Sequence, residues 1–251
     1  MFFFVPGNHD WWNLTKLDRG LRALKMEESF IEANIRKNQT IANPRNTFLP
    51  QNGDPGPDYV DLDHGAVRIV LVDTYRLIIT AFKKKQVDDF PIEKIFYRRL
   101  DSLIKYAKSH HQKLIVAGHH TLFAKGPNSK PLKRPNIFGR IKASNSSFPS
   151  ANRMSSRIRG ILKQYPGTYY ACGHVHSLQY FLPADSIHYI VSGAGSKTAF
   201  VPAKDILNNK PGKGSEYLLW NVKGFFELDF TPSSEKIFLH YDNGSQKCVI
   251  Q

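Results

Sequence analysis

Three apolar runs of strand-forming residues each stop at a glycine followed by histidine-bearing polar residues, and this repeated construction constrains the fold more than any other feature of the chain. Phe2-Phe3-Phe4-Val5-Pro6 runs into Gly7-Asn8-His9-Asp10. Lys113-Leu114-Ile115-Val116-Ala117 runs into Gly118-His119-His120, and Thr168-Tyr169-Tyr170-Ala171-Cys172 runs into Gly173-His174-Val175-His176. Each run predicts a strand that ends in a tight, ligand-rich turn. In open α/β sheets ligands collect outside the carboxyl ends of strands, so the three turns are expected to converge on one site.

The rest of the chain fits around those strands. Residues 14–37 predict a helix with Leu14, Leu17, Leu21, Leu24, Phe30, Ile31 and Ile35 along one face. Asn52-Gly53-Asp54-Pro55-Gly56-Pro57 is a turn cluster, followed by strands at 59–63 and 67–73 about a His64-Gly65 turn. The segment after Asp73 reads as polar and irregular. Pro91 opens a second helix with Ile92, Ile95, Phe96, Leu100, Leu103, Ile104 and Ala107 on one face, ending near His110-His111. A long basic stretch over 121–151 leaves directly from the second histidine turn, with the reach of a lid or a mobile insertion. A short helix is expected at 153–164, then strands at 178–182, 188–192, 217–222, 225–230 and 236–241. Helices alternating with strands, then a strand-rich half, imply a layered α/β sandwich in a single domain spanning 1–251.

Composition narrows the partners. A formal charge of +14 over 251 residues suits anionic partners such as phosphate esters, nucleic acid or an acidic membrane face, and is equally compatible with a solvated surface. Two cysteines, Cys172 and Cys248, are too few for a disulfide framework. No apolar run approaches the ~18–20 residues of a membrane-spanning helix, and no targeting signal is evident in the chain.

The histidines carry the chemistry. Two imidazoles one residue apart, His174 and His176, can splay to reach two metal ions, and His119 adds a third ring. Asn8 offers a neutral amide oxygen, and imidazole with oxygen donors suits Zn, Mn or Fe. His9 is placed to be a general acid with the Asp10 carboxylate fixing its ring, and His120 to line the pocket or touch substrate. A lone Gly-His pair is more often only a turn. The joint pattern of three such turns points to a metal site, whereas His64, His110, His111, His188 and His240 fall outside it.

Gly7-Asn8-His9-Asp10, Val116-Ala117-Gly118-His119 and Gly173-His174-Val175-His176 resemble the last three of the five signature blocks of the calcineurin-like metallophosphoesterases, a family that includes the purple acid phosphatases. The Gly-Asn-His-Asp-Trp-Trp opening and Ser192-Gly193-Ala194-Gly195-Ser196-Lys197 are similar to bacterial members, a resemblance that leans toward the cell envelope. It implies two mixed sheets packed face to face with helices outside. It also implies one metal held by Asn8, His119 and His174, a second held partly by His176, and leaving-group assistance from His9 with Asp10.

The first two family blocks, Asp-x-His and Gly-Asp-x-x-Asp, do not occur, and nothing after the third block restores them. The expectation is therefore a family member lacking its first strand-helix-strand unit. Its site would be weakened or mononuclear, its turnover low, and an apolar edge near Phe2–Val5 would be prone to self-association. Two functions follow: a metal-dependent hydrolase of phosphate mono- or diesters, or a non-catalytic metal- or anion-binding module on the same fold.

Overall fold

The computed structural model describes residues 2–11, 17–38, 46–83, 91–124, 149–199, 216–231 and 233–250. It divides into two compact units, Met1–His119 and His120–Gln251. Lys125, Lys130, Lys133, Arg134, Arg140 and Lys142 of the expected basic lid, and Leu14 of the expected first helix, lie outside the described residues.

In the first unit, β1 (Asp58–Leu62) and β2 (Val67–Val72) form the expected antiparallel pair about a tight turn at Asp63–Gly65. Asp63 and His64 take positive φ there, 49° and 53°, conformations in which short polar side chains are enriched. The stretch after Asp73, expected to be irregular, is instead helix α2 (Thr74–Lys83). The Asp73 carboxylate accepts the Arg76 N–H at 2.9 Å, the N-cap bond that satisfies one of the free donors of a helix's first turn. Leu77, Ile78 and Ile79 are all buried, so burial outweighs the weak helix propensity of two β-branched residues.

Helix α3 (Pro91–Ser109) then returns the chain to β3 (Lys113–Gly118), which pairs in parallel with β2. The strand order is β1-β2-β3. Phe96, Leu100, Ile104 and Ala107 form the buried stripe of α3, as their spacing predicts. Ile92 and Ile95, expected on that stripe, are 39% and 52% exposed, and buried Glu93 takes the inward position of the first turn. One sheet face carries Val60 and Leu71, packed with Leu49, Phe3 and Val5.

Phe2–Val5 is not a strand of this sheet. It makes one parallel bridge, Phe4 to Phe48, with Phe4 N–H donating to the Thr47 carbonyl at 2.8 Å and Leu49 N–H donating to the Phe4 carbonyl at 2.9 Å. Alternation survives nonetheless: Phe3 and Val5 pack inward while Phe2 and Phe4 are exposed.

Helix α1 (Leu17–Asn38) corrects the expected apolar face in a different way. Its buried stripe is Gly20, Leu24, Glu28 and Glu32, four residues apart, while Phe30 is 70% exposed. The two carboxylates serve as acceptors for backbone N–H groups of the segment at 47–52. Glu32 takes the N–H groups of Thr47 and Phe48 at 2.6 and 2.7 Å, and Glu28 takes that of Asn52 at 2.8 Å. Buried backbone donors left unpaired would be costly, which explains why acids displace apolar residues on this face.

In the second unit, α4 (Pro149–Leu162) starts four residues earlier than expected and buries Ala151, Met154, Ile158 and Leu162. The strands β4 (Tyr169–Cys172), β5 (Leu178–Phe181), β6 (His188–Ser192) and β7 (Glu216–Leu219) lie in the order β4-β6-β5-β7. β4 and β6 are parallel; β5 runs antiparallel to both neighbours. A second, antiparallel sheet contains β8 (Gly224–Phe230), β9 (Glu235–Tyr241) and the unanticipated β10 (Gln246–Ile250). Leu178, Ala194 and Leu239 form a buried cluster where the two sheets of this unit meet. The Tyr169 hydroxyl, bonded to Glu235, fastens them at another point.

The chain is thus mixed α/β, with mixed sheet pairing, a second sheet and helices, as its sequence implied.

Candidate metal centre

The first turn is shaped by its own carboxylate. Residues 8–10 form a turn closed by the Gly7 N–H donating to Asp10 Oδ2 at 2.6 Å. The other neighbour of Asp10 is Glu27 of α1; burial and the Asp10 carboxylate, with a hydrogen bond between the two, raise the Glu27 pKa above its ordinary value. Asp10 therefore spends its acceptors on Gly7 and Glu27, holding the turn from within, while His9 sits exposed.

At the end of β3 the second turn meets the first. His119 Nε2 lies 2.7 Å from Asn8 Oδ1. An amide oxygen only accepts, so Nε2 carries the proton in this pairing. Gly7 makes the approach possible: a Cβ on it would stand 2.8 Å from His119 Nδ1. A side chain at position 7 would have to displace the His119 ring.

An imidazole nitrogen and an amide oxygen aimed at each other suit a metal. Both atoms belong to donor types that Zn, Mn or Fe ions accept. An ion taken up there would displace the Nε2 proton, so uptake is coupled to proton release.

The third turn is built in the second unit. His174 adopts φ 57°, a left-handed conformation uncommon for a residue with a Cβ but one in which histidine is enriched. Two tight backbone bonds shape it, Val175 N–H to the Gly173 carbonyl and Ser177 N–H to the Val175 carbonyl, both 2.7 Å. Gly193 backs it so closely that a Cβ there would lie 2.1 Å from the Val175 carbonyl oxygen. The His176 carbonyl accepts the Ala199 N–H at 2.8 Å. The Ser192-Gly193-Ala194 stretch thus supports the histidine loop from behind.

His120, the residue after His119, packs its ring on His174 with centroids 4.4 Å apart. It is 2% exposed, and its carbonyl accepts the buried Tyr170 hydroxyl at 2.7 Å. Within the second unit, His120 and His174 both carry ring nitrogens of the kind that ligate an ion, and in the first unit His119 carries another. Asn8 is thereby brought to His119, and His120 to His174.

Three of the histidines set aside on sequence grounds have structural partners. His188 stacks on Tyr169 and bonds Tyr180, His110 stacks on Tyr106, and His240 bonds Glu227.

Two residues had no assigned role in the sequence. Trp11, fully buried, donates Nε1–H to Asp73 Oδ2 at 2.7 Å across 62 residues of chain. Asp73 is fully buried, and desolvation pushes its carboxyl up to about 7 against the bonds from Trp11 and Arg76 that favour the charged form. The available signal was an acid directly after an apolar strand and before Thr74, the signature of a helix N-cap.

A search among curated proteins found no match. A family model described as calcineurin-like phosphoesterase matches residues 1–178.

Proposed function

The chain belongs to the calcineurin-like phosphoesterase family, and on that footing we propose that it hydrolyses phosphate mono- or diesters, with Asn8, His119 and His174 holding one ion and His176 contributing to a second. The observation that carries the reading is the pairing of Asn8 Oδ1 with His119 Nε2 at 2.7 Å, two ligand atoms from turns 111 residues apart facing one another. A bound Mn, Fe or Zn ion supplies Lewis-acid polarisation of a phosphoryl oxygen and lowers the pKa of water. His9, exposed on the crest of the first turn, delivers a proton to the departing oxygen. Asp10 fixes the turn that presents His9, through its bond from Gly7 N–H. His120 forms a pocket wall against His174. The net charge of +14 favours anionic substrates of this class.

The test measures Mn and Zn bound per chain and hydrolysis of an aryl phosphate and an aryl phosphodiester, for wild type, Asn8→Ala and His174→Ala. The expected outcome is metal-dependent turnover, with metal content and turnover both falling in each variant. Undiminished hydrolysis in Asn8→Ala and His174→Ala would refute the assignment.

A further inference from the structure

The parallel register of β2 and β3 pairs Val72 with Gly118, so Asp73 and His119 are the first residues beyond two adjacent strand ends on the same edge of the sheet. The Gly7–Trp11 segment is fastened to both. Asn8 meets His119 at 2.7 Å, and Trp11 Nε1 meets Asp73 Oδ2 at 2.7 Å. Only His9 and Asp10 separate the two attachment points, so the ligand turn is stretched between them like a bridge between piers.

The Trp11 end is held on every side. The indole is fully buried. A Cβ on Gly20 would lie 2.5 Å from the Trp11 carbonyl oxygen and 3.2 Å from its ring, and one on Gly53 would lie 3.1 Å from the far edge of the ring. The Arg76 guanidinium lies 5.5 Å from the ring centroid. Asp73 is fixed as well, since its other oxygen caps α2 and its N–H donates to the Pro55 carbonyl at 3.0 Å. A buried tryptophan normally finds some partner for its N–H. Here the partner is a buried carboxylate at a strand end, and the bond fixes where the turn three residues upstream begins.

We propose that Trp11 and Asp73 are a positioning pair for the metal centre: their bond fixes the Gly7–Asp10 turn so that the Asn8 amide oxygen stays in register with His119. The inference rests on the metal assignment above and adds two residues that touch neither ion nor substrate. Outer partners that orient metal ligands commonly change affinity by about 10- to 100-fold when removed.

The bond can be cut from both sides. Trp11→Phe keeps a buried aromatic ring and removes the N–H. Asp73→Ser keeps a helix-capping oxygen and is too short to reach the indole. Leu100→Ala, in the α3 core, is the control for lost stability alone. Co²⁺ is titrated into each chain, following visible absorption bands and the dissociation constant. The expected result is Co²⁺ affinity about 10- to 100-fold weaker with altered bands in Trp11→Phe and in Asp73→Ser. The double variant should be no worse than either single one, and Leu100→Ala should keep the wild-type spectrum. If one variant does not fold, the other carries the test. Wild-type affinity and bands in the two single variants would overturn the proposal while leaving the metal assignment intact. Wild-type Co²⁺ binding that is unaffected by Asn8→Ala and His119→Ala would instead overturn the metal assignment, and the positioning role with it.

Discussion

Raising the pH from 4 to 8 should destabilise the first unit through Asp73, and Asp73→Asn should abolish that dependence. The carboxyl ordinarily titrates at 3.8 and is pushed up to about 7 in the folded chain, chiefly by burial. The folded state therefore holds the proton more tightly than the unfolded chain. Between those two values the unfolded state binds fewer protons, so stability declines as pH rises, and above about 7 the contribution is flat. The difference in proton affinity corresponds to about 4 kcal/mol over the full interval. The groups facing Asp73 are the Trp11 N–H, the Arg76 N–H and guanidinium, and Tyr75. An asparagine is neutral throughout and offers one acceptor oxygen where the carboxylate offers two, so it forfeits either the Trp11 bond or the α2 cap, about 1 kcal/mol. Urea unfolding of both chains in a chelator, at intervals from pH 4 to 8, isolates the effect, because all other titrations cancel in the comparison. Wild type should be the more stable at pH 4, and the two curves should cross before neutrality. Parallel curves over the whole range would refute the reasoning.

Four further outcomes follow from contacts already described. Gly7→Ala should weaken Co²⁺ binding at least tenfold with little loss of thermal stability, because the new methyl collides with the His119 ring rather than with core, and unchanged affinity would show that the ring has room to retreat. Gly193→Ala should destabilise the second unit by about 1–3 kcal/mol, since the clash is with the Val175 backbone carbonyl, which cannot rotate away; calorimetry of the variant decides it. Glu32→Ala should cost about 3 kcal/mol in urea unfolding by stripping the acceptor from the Thr47 and Phe48 N–H groups, with Glu32→Gln recovering much of it. Leu100→Ala, fully buried on α3, should cost about 2–5 kcal/mol while leaving Co²⁺ affinity unchanged.

The interior strands and helix α3 were legible because their burial follows simple periods. β3 alternates, and Phe96, Leu100, Ile104 and Ala107 recur at helical spacing. Helix α2 was not legible, because its case rests on one capping carboxylate and on tertiary burial of Leu77, Ile78 and Ile79 rather than on a polar-apolar pattern. Helix α1 was found but its inward face was misjudged. Glu28 and Glu32 look like solvent residues until the N–H groups of Thr47, Phe48 and Asn52 are beside them.

For the site, residue chemistry and turn position were local information. A glycine followed by imidazoles or an amide marks candidate ligands when it recurs after three apolar runs, and the spacing His174-x-His176 adds to that signal. Which atoms meet was not local. The 2.7 Å approach of Asn8 to His119 spans 111 residues, and the bond from Trp11 to Asp73 spans 62. Composition and periodicity are short-range properties of a chain, so they name the candidate ligands and the turns that carry them. Partnership across such distances is set by strand order and register, here the parallel pairing that places Val72 beside Gly118, and that exists only once the chain has folded.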